Sequence, residues 1–591
     1  METNNFLISY NARHLAPKEV AERFIWSESF GKLIKNNHSI ILGARGCGKT
    51  TLMKMLTIPA LHAWNSDSKA EDIKNNIPFY GIYISTDIYW NVKNLTYGSQ
   101  LEAYGNFADM VSHFAVSSNV FTSLCDSFLN IINIELKNKD EKKEIELCNH
   151  LIKAWKLSNT IPKLKYVKEA LNDRIDSVNQ FIQQVIFNYA PDDKIEVPDY
   201  YNLSFETSLE LIIPKFERIY KIEEKKKWAL CFDELEFAPI WLQQKLFISL
   251  RSRTQYLLYK LSASPILPSA LEKSLLSDYG ATPGNDVELI KMWISKDNEE
   301  FSKKIIKSFL PSDSNLVKVF GSNDIYNKTA DSYSEGSDFY KEMISLINKD
   351  ESFKSFLLNK DVDITNPIPI SDNQKDVLYR KIKPIVYFRN FFIEENIVGK
   401  KVKYRSRKKA TDLFSGIEVI SKICDGNPRW LIGIISAIIS KSNGGNIDKK
   451  LQFDELLNVS KRYKNVIANI PVGDCNSTII DIIERVGKYF ENQILGENFL
   501  MDPKSTFLVD NSDDKIHDNI IELIEKGVAQ GAFILLDSND DSFDFEIRNK
   551  RFKLSYIFCI LYNIPLRVYN KIKLSECLTS LDDAGQISLF N

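Results

Sequence analysis

Short continuous apolar runs, three-to-four periodic stretches and polar breaks alternate along the chain. Pro17 to Asn36 reads as a helix. Ser39 to Leu42 is a brief apolar run of the kind a buried strand produces, and a glycine-rich turn follows it. Helical spacing resumes from Thr50 to Leu56, and a second strand is predicted in PFYGIYIST, Pro78 to Thr86. Between about 100 and 190, FADMVSHFAV, VFTSLCDSFLNIINIEL and DRIDSVNQFIQQVIF carry apolar residues at helical spacing. KKKWALCFDELE is a buried strand ending in acids. The helix WLQQKLFISLRSR leads from it to a strand in QYLLYKLSASP, and a further strand is predicted at Asp286 to Trp293. Strands alternating with helices imply a parallel sheet with crossover helices. The block at about 95–200 is then a helical insertion.

The second half has a different texture. Residues 310–375 are polar and rich in Ser, Asp and Asn, and are expected to form a loosely ordered insertion. Helices return from about 376 to 440 and end in ICDGNPRWLIGIISAIIS. There Gly and Asn make a turn and Pro is tolerated in the first helical turn. Further on, helices at Asp474–Asn492 and Ile516–Gln530 precede two short β runs that flank SNDDS, a hairpin signal. Helices followed by a two-stranded wing suggest a winged helix. The expected organisation is a core over 1–308 and a polar insertion plus helical lid over 309–445. A winged-helix-like domain over 446–578 and a flexible tail over 579–591 complete it.

Composition narrows the class. The 591 residues hold 76 Lys+Arg and 78 Asp+Glu, a net charge of −2. That excludes a uniformly basic nucleic-acid coat but leaves room for a local basic patch, since only local charge meets phosphate. Aromatics at 12% argue against a mostly disordered chain. No apolar run approaches the ~20 residues of a membrane span, and the best, Trp430 to Ile439, is too short. The start, METNNFLISYNARH, lacks a basic region followed by an apolar core, so a cytoplasmic protein without a secretory signal is expected. Eight scattered cysteines with no CxxC pair read as reduced core thiols, and with six scattered histidines no zinc site is expected.

The strongest chemical signal is GARGCGKT, Gly43 to Thr50, which matches G-x-x-x-x-G-K-[ST] between a strand and a helix. Gly43, Gly46 and Gly48 let the backbone wrap close to phosphate and turn N–H groups inward. The following helix adds its positive end. Lys49 reaches the β- and γ-phosphates, and Thr50 is placed to ligate Mg²⁺. The expected ATP-binding set is Gly43, Ala44, Arg45, Gly46, Cys47, Gly48, Lys49, Thr50 and Thr51. The second signal is WALCFDELE, Trp228 to Glu236. Asp233 at the strand end can hold Mg²⁺ with Thr50, and Glu234 can orient and deprotonate the attacking water. Glu236 is read either as a competing base or as a solvated acid at a helix start.

Together these motifs resemble the AAA+ and STAND branch of P-loop ATPases, and the fold implied is an α/β P-loop NTPase core with a parallel, AAA+-like sheet. KLSASP ends the strand after the acidic one, where such proteins place a polar sensor, so the resemblance implies Ser262 or Ser264 in that role. DGNPRWLIGII, Asp425 to Ile435, resembles the sensor-two helix of AAA+ lids. By that resemblance Arg429 contacts the γ-phosphate; otherwise it is a helix-start surface arginine. The order of pieces resembles origin-recognition-complex-like initiator ATPases, and in particular bacterial proteins of that type found beside mobile or antiviral cassettes. Two departures stand out. The segment 265–285 has no arginine for a finger, leaving Arg251 and Arg253 as the nearest candidates, and the insertions are large.

The resemblance implies an ATPase using ATP and Mg²⁺, with catalytic Lys49, Asp233, Glu234 and Arg429. It would act as a switch in DNA transactions or defence against foreign DNA and control a partner effector, with self-association compatible with the class. The alternatives are a nucleotide-controlled signalling scaffold that never touches DNA and a transposition-type regulator. GKKVKYRSRKKA, Gly399 to Ala410, holds seven Lys or Arg around one Tyr, and EIRNKRFK, Glu546 to Lys553, ends the expected wing. Each is either a nucleic-acid contact or a solvated face. The final Gln586-Ile587-Ser588-Leu589-Phe590 resembles the peptide by which bacterial proteins dock on the replication sliding clamp; the competing expectation is that the tail packs back on its own domain.

Overall fold

A computed structural model describes residues 11–579 apart from 66–69, 96, 138, 223–225, 252–255, 278–279, 294–297, 312, 327–332, 368–372, 406–408, 443–446, 474–476, 511–517 and 537–540. The chain forms two compact units. One comprises 12–43 and 49–290; the other runs from Lys291 onward and takes in Asn11 and the loop Ala44–Gly48.

The N-terminal unit is built on a five-stranded sheet of order β2-β3-β4-β1-β5, with β1 at His38–Leu42, β2 at Phe79–Ser85, β3 at Lys227–Asp233, β4 at Leu257–Ala263 and β5 at Val287–Lys291. β1 pairs parallel with β4, β4 with β3, and β3 with β2. All of β4, and β3 after its first residue, are buried, as expected of strands covered by helices on both faces. The chain leaves β1 and enters β2 at the far edge, so β1 lies at a switch point, where open α/β sheets bind ligands beyond the strand ends. The expected insertion between β2 and β3 is helical, with long helices at Asn106–Asn130, Glu141–Ala154 and Leu164–Asn188. Its own core gathers Phe107, Phe114, Val178, Ile182 and Tyr201. The helix expected over Pro17–Asn36 is two helices, Pro17–Glu22 and Glu28–Leu33, the second capped by the Ser27 side chain.

In the second unit the polar stretch 310–375 contains helices at Leu316–Phe320, Asp338–Ile347 and Glu351–Leu358 rather than a loose insertion. The reason is local: Asn315, Ser337 and Asp350 each accept hydrogen bonds from backbone N–H groups of the following turn. Phe339, Met343, Leu346, Phe353 and Leu357 then bury one face. Asp350 also forms a fully buried ion pair with Arg389 at 2.7 Å, and Arg389 donates to the carbonyls of Ile494 and Gly496. Further along, a two-stranded sheet pairs β6 at Ile393–Glu395 with β7 at Lys403–Tyr404, and helices Ile479–Leu495 and Asp518–Gln530 accompany a four-stranded sheet of order β11-β8-β10-β9, with β8 at Lys504–Leu508, β9 at Phe533–Leu535, β10 at Arg551–Leu554 and β11 at Asn570–Lys573. β9 and β10 are antiparallel, but β10 begins at Arg551, so the connection is longer than a hairpin closing at SNDDS would need. Ser538, Asn539 and Asp540 of that five-residue run, and the clamp-like peptide, lie outside the described residues.

Among the described residues no helix is long and apolar enough to cross a membrane, no cluster of His, Cys, Asp or Glu is suited to hold a metal, and the seven described cysteines are free.

Candidate functional site

In the N-terminal unit the carboxyl ends of β1, β3 and β4 carry the chemistry. The helix Lys49–Met55 follows the loop, with Thr50 and Thr51 half-buried in its first turn. The Lys49 ammonium donates to the carbonyl of Gly43 at 2.5 Å and pairs with Glu236 at 3.4 Å. Glu236 faces the lysine from the turn Leu235–Phe237.

Asp233 is buried, and its carboxylate accepts from the Ser262 hydroxyl at 2.6 Å and from Tyr83 at 3.1 Å. A carboxylate has about four acceptor sites, so these two bonds leave capacity for a hard cation. Ser262 also accepts the Glu234 N–H at 2.9 Å, tying both acids to the neighbouring strand from one of the two expected sensor positions. Glu234 is left-handed at φ 57°, a conformation that costs energy in a non-glycine residue and is held here by its neighbours.

The Glu234 carboxyl lies above its ordinary range. Burial is the largest cause and Asp233 the next, opposed by Arg13. Arg13 pairs with Glu234 at 3.4 Å, and its segment is held by Lys54, which donates to the carbonyls of Arg13 and Leu15 at 3.1 and 2.8 Å. Sequence reasoning missed Arg13, because nothing in NARHLAP marks an arginine destined to meet a carboxylate more than 200 residues away.

In the second unit, Gly46 and Gly48 have φ of 89° and 103°, as a phosphate-cradling loop demands. The Asn427 side chain donates to the Arg45 carbonyl at 3.1 Å, and a Cβ on Gly46 would lie 2.9 Å from the Asn427 oxygen and 3.2 Å from the Arg429 Cβ. The GNPR turn thus seats directly on the loop, and the Arg429 guanidinium approaches Asn11 at 3.5 Å. On another side the Arg45 N–H donates to the carbonyl of Ala529, at the end of the helix Asp518–Gln530. Asp425, left-handed at φ 51°, accepts from Lys553, from the Ser555 hydroxyl and from the Tyr556 N–H. The same turn therefore touches the loop and the end of β10.

The basic stretches fare differently. Of the residues in 546–553, Arg548 pairs with Asp518, Lys550 with Asp544 and Lys553 with Asp425, while Arg551 bonds Thr506 and the Tyr569 carbonyl. In 399–410, Lys403 pairs with Glu394 and Lys409 with Asp454. Residues 406–408 of that run are outside the described set, as is Arg253. Arg251 donates to the carbonyl of Gly280.

A sheet of this order, with a glycine loop after β1 and acids ending β3, defines a P-loop protein. The ORC-CDC6-like family profile matches residues 5–574, and the chain belongs to that family, a class of AAA+ ATPases. No curated protein and no solved structure matches it.

Proposed function

We propose that the protein is an ATP-hydrolysing switch that acts in DNA transactions, or in defence against foreign DNA, by controlling a partner effector. The reading is carried by the phosphate loop, whose Gly46 and Gly48 hold the required positive φ and on which Asn427 and Arg429 seat. Gly43 to Thr51 cradle the triphosphate, and Lys49 exchanges Gly43 and Glu236 for the β- and γ-phosphate oxygens. Thr50 and Asp233 offer the hard oxygen ligands that suit Mg²⁺, which when bound neutralises charge on those phosphates. Glu234 takes a proton from the attacking water, and a carboxyl raised by burial is better matched to that task than an exposed one. Arg429 stabilises charge that grows on the transferred phosphoryl group.

The C-terminal domain is proposed to be a winged helix. The reading is supported by helix Ile479–Leu495, β8, helix Asp518–Gln530 and the β9–β10 pair, with β10 central between β8 and β9. Nucleotide state reaches it through the Arg45–Ala529 and Asp425–Lys553 contacts. DNA binding is assigned to 399–410 and this domain, and Gln586–Phe590 to a sliding clamp. One observation favours the alternative of a signalling scaffold that never touches DNA: the basic residues of 546–553 are engaged within the chain.

The test separates ATP affinity from turnover. Lys49→Ala is expected to weaken binding by tenfold or more. Glu234→Gln keeps binding but lowers turnover by 10²-fold or more, the usual scale for a general base. Arg429→Ala lowers turnover more than affinity. Normal turnover in Glu234→Gln refutes the base assignment.

A further inference from the structure

Within the second unit, a cleft of about 460 Å³ opens where the helix Asn373–Phe392 and the hairpin that follows it meet the helix Ile479–Leu495. That volume lies within the range of small-ligand sites. Its chemistry is unusual for a chance surface dent. Phe391 and Phe392 line one part, with ring centroids 4.9 Å apart at 77°. Tyr404 lines another, 48% exposed, with its hydroxyl donating to the Leu495 carbonyl at 3.0 Å, so the ring is presented in a fixed orientation. Arg405 and Lys488, both exposed, supply two cations at the rim. The Arg405 N–H donates to the Phe392 carbonyl at 2.9 Å, which pins this end of the hairpin.

The remaining wall is polar. Asn563 donates its amide to Glu491 at 2.7 Å. A purely apolar ligand would have no use for the paired cations, and a simple anion none for the aromatic walls. An unpaired nucleotide uses all three: base stacking on a half-exposed ring, cations for its phosphates, and an amide and carboxyl for the base edge.

We propose that this cleft receives an unpaired nucleotide of single-stranded DNA, stacked on Tyr404, with its flanking phosphates on Arg405 and Lys488. The proposal rests on the DNA-binding reading and deepens it from a basic run to a site that prefers single strands.

The test is fluorescence anisotropy of full-length protein with a labelled 15-nucleotide oligothymidylate and with a blunt 15-base-pair duplex. Tyr404→Ala is expected to bind oligothymidylate about 5- to 150-fold more weakly, the range that stacking contributions of ~1–3 kcal/mol per base convert to, and to bind duplex within about twofold of the native protein. Tyr404→Phe keeps the ring and stays within about twofold on both. Should Tyr404→Ala melt early, the double variant Arg405→Ala, Lys488→Ala decides, since both side chains are exposed; it should lower the salt slope on oligothymidylate by up to ~1.4, about 0.7 per single-strand phosphate. Native-level oligothymidylate binding in the folded cleft variants overturns the proposal, as does an equal loss on duplex in Tyr404→Ala. If the native protein binds duplex but not oligothymidylate, the cleft proposal falls and the DNA reading stands. If it binds neither, both fall.

Discussion

Glu234 is pulled three ways. Burial and the neighbouring Asp233 push its carboxyl up, and Arg13 at 3.4 Å pulls it down. A general base works only when deprotonated. Turnover should therefore be present at neutral pH and be lost as pH falls through the raised value, with a midpoint above the ordinary 4.5. Replacing Arg13 by Ala removes the larger of the two cationic influences on it, Lys49 being the other, and should move that acid limb to higher pH. Because Arg13 is 42% exposed, solvent screens it and the displacement should be small. The pH profile of kcat in the native protein and Arg13→Ala checks this; a limb that stays put or moves down removes Arg13 from the charge balance. Lys49 and Glu234 are legible in the sequence because their motifs are contiguous. Arg13 and Tyr83 act through partners that only folding brings near, so no local spacing announces them, and the same holds for the pairing of Glu236 with Lys49.

Strands β1 to β5 fall within a few residues of their predicted positions, because each is a compact apolar run bounded by turn signals. The helices of 310–375 escaped detection because their polar composition hides apolar residues that do recur at helical spacing, such as Phe339, Met343 and Leu346. β1 also carries a pH-sensitive element. The His38 ring accepts the Tyr259 N–H at its Nδ1 at 3.0 Å, which requires that nitrogen unprotonated. Burial, then Lys260, lowers His38 from 6.5 to about 4. The unfolded chain thus binds more protons than the folded one between those values, so stability is present above pH 6.5 and is lost as pH falls toward 4. By pH 5 the loss is ~2 kcal/mol. His38→Asn keeps an acceptor near the Nδ1 position without the titration. Thermal unfolding at pH 7 and pH 5 should show a larger midpoint drop for the native protein than for His38→Asn; equal drops would place the acid sensitivity elsewhere.

At the scale of the molecule, the seven cations of 399–410 are not equivalent. Lys403 and Lys409 already face carboxylates. Neutralising Lys400, Lys401, Lys403, Arg405, Arg407, Lys408 and Lys409 together should therefore reduce the salt slope of duplex binding by at most ~4.5, five contacts at ~0.9 each, rather than by seven contacts' worth. Titration of duplex affinity between 50 and 200 mM salt measures it, and an unchanged slope assigns the run to a solvated face or a protein partner.

Whatever depends on neighbours along the chain is legible in the residues alone. Gly43 to Thr50 must turn between a strand and a helix because the glycines and the apolar run before them permit little else, and an apolar strand closing on Asp233 and Glu234 supplies acids at a strand end. The family follows from the order of such pieces. Which charges meet is set by folding. Burial of Asp233 against Ser262, the hold of Arg13 on Glu234, the seat of Asn427 on Arg45 and the internal pairing of Arg548 and Lys553 join residues tens to hundreds of positions apart. Such pairings arise because a buried polar group must find a partner wherever the fold places one. Sequence spacing carries no record of that choice.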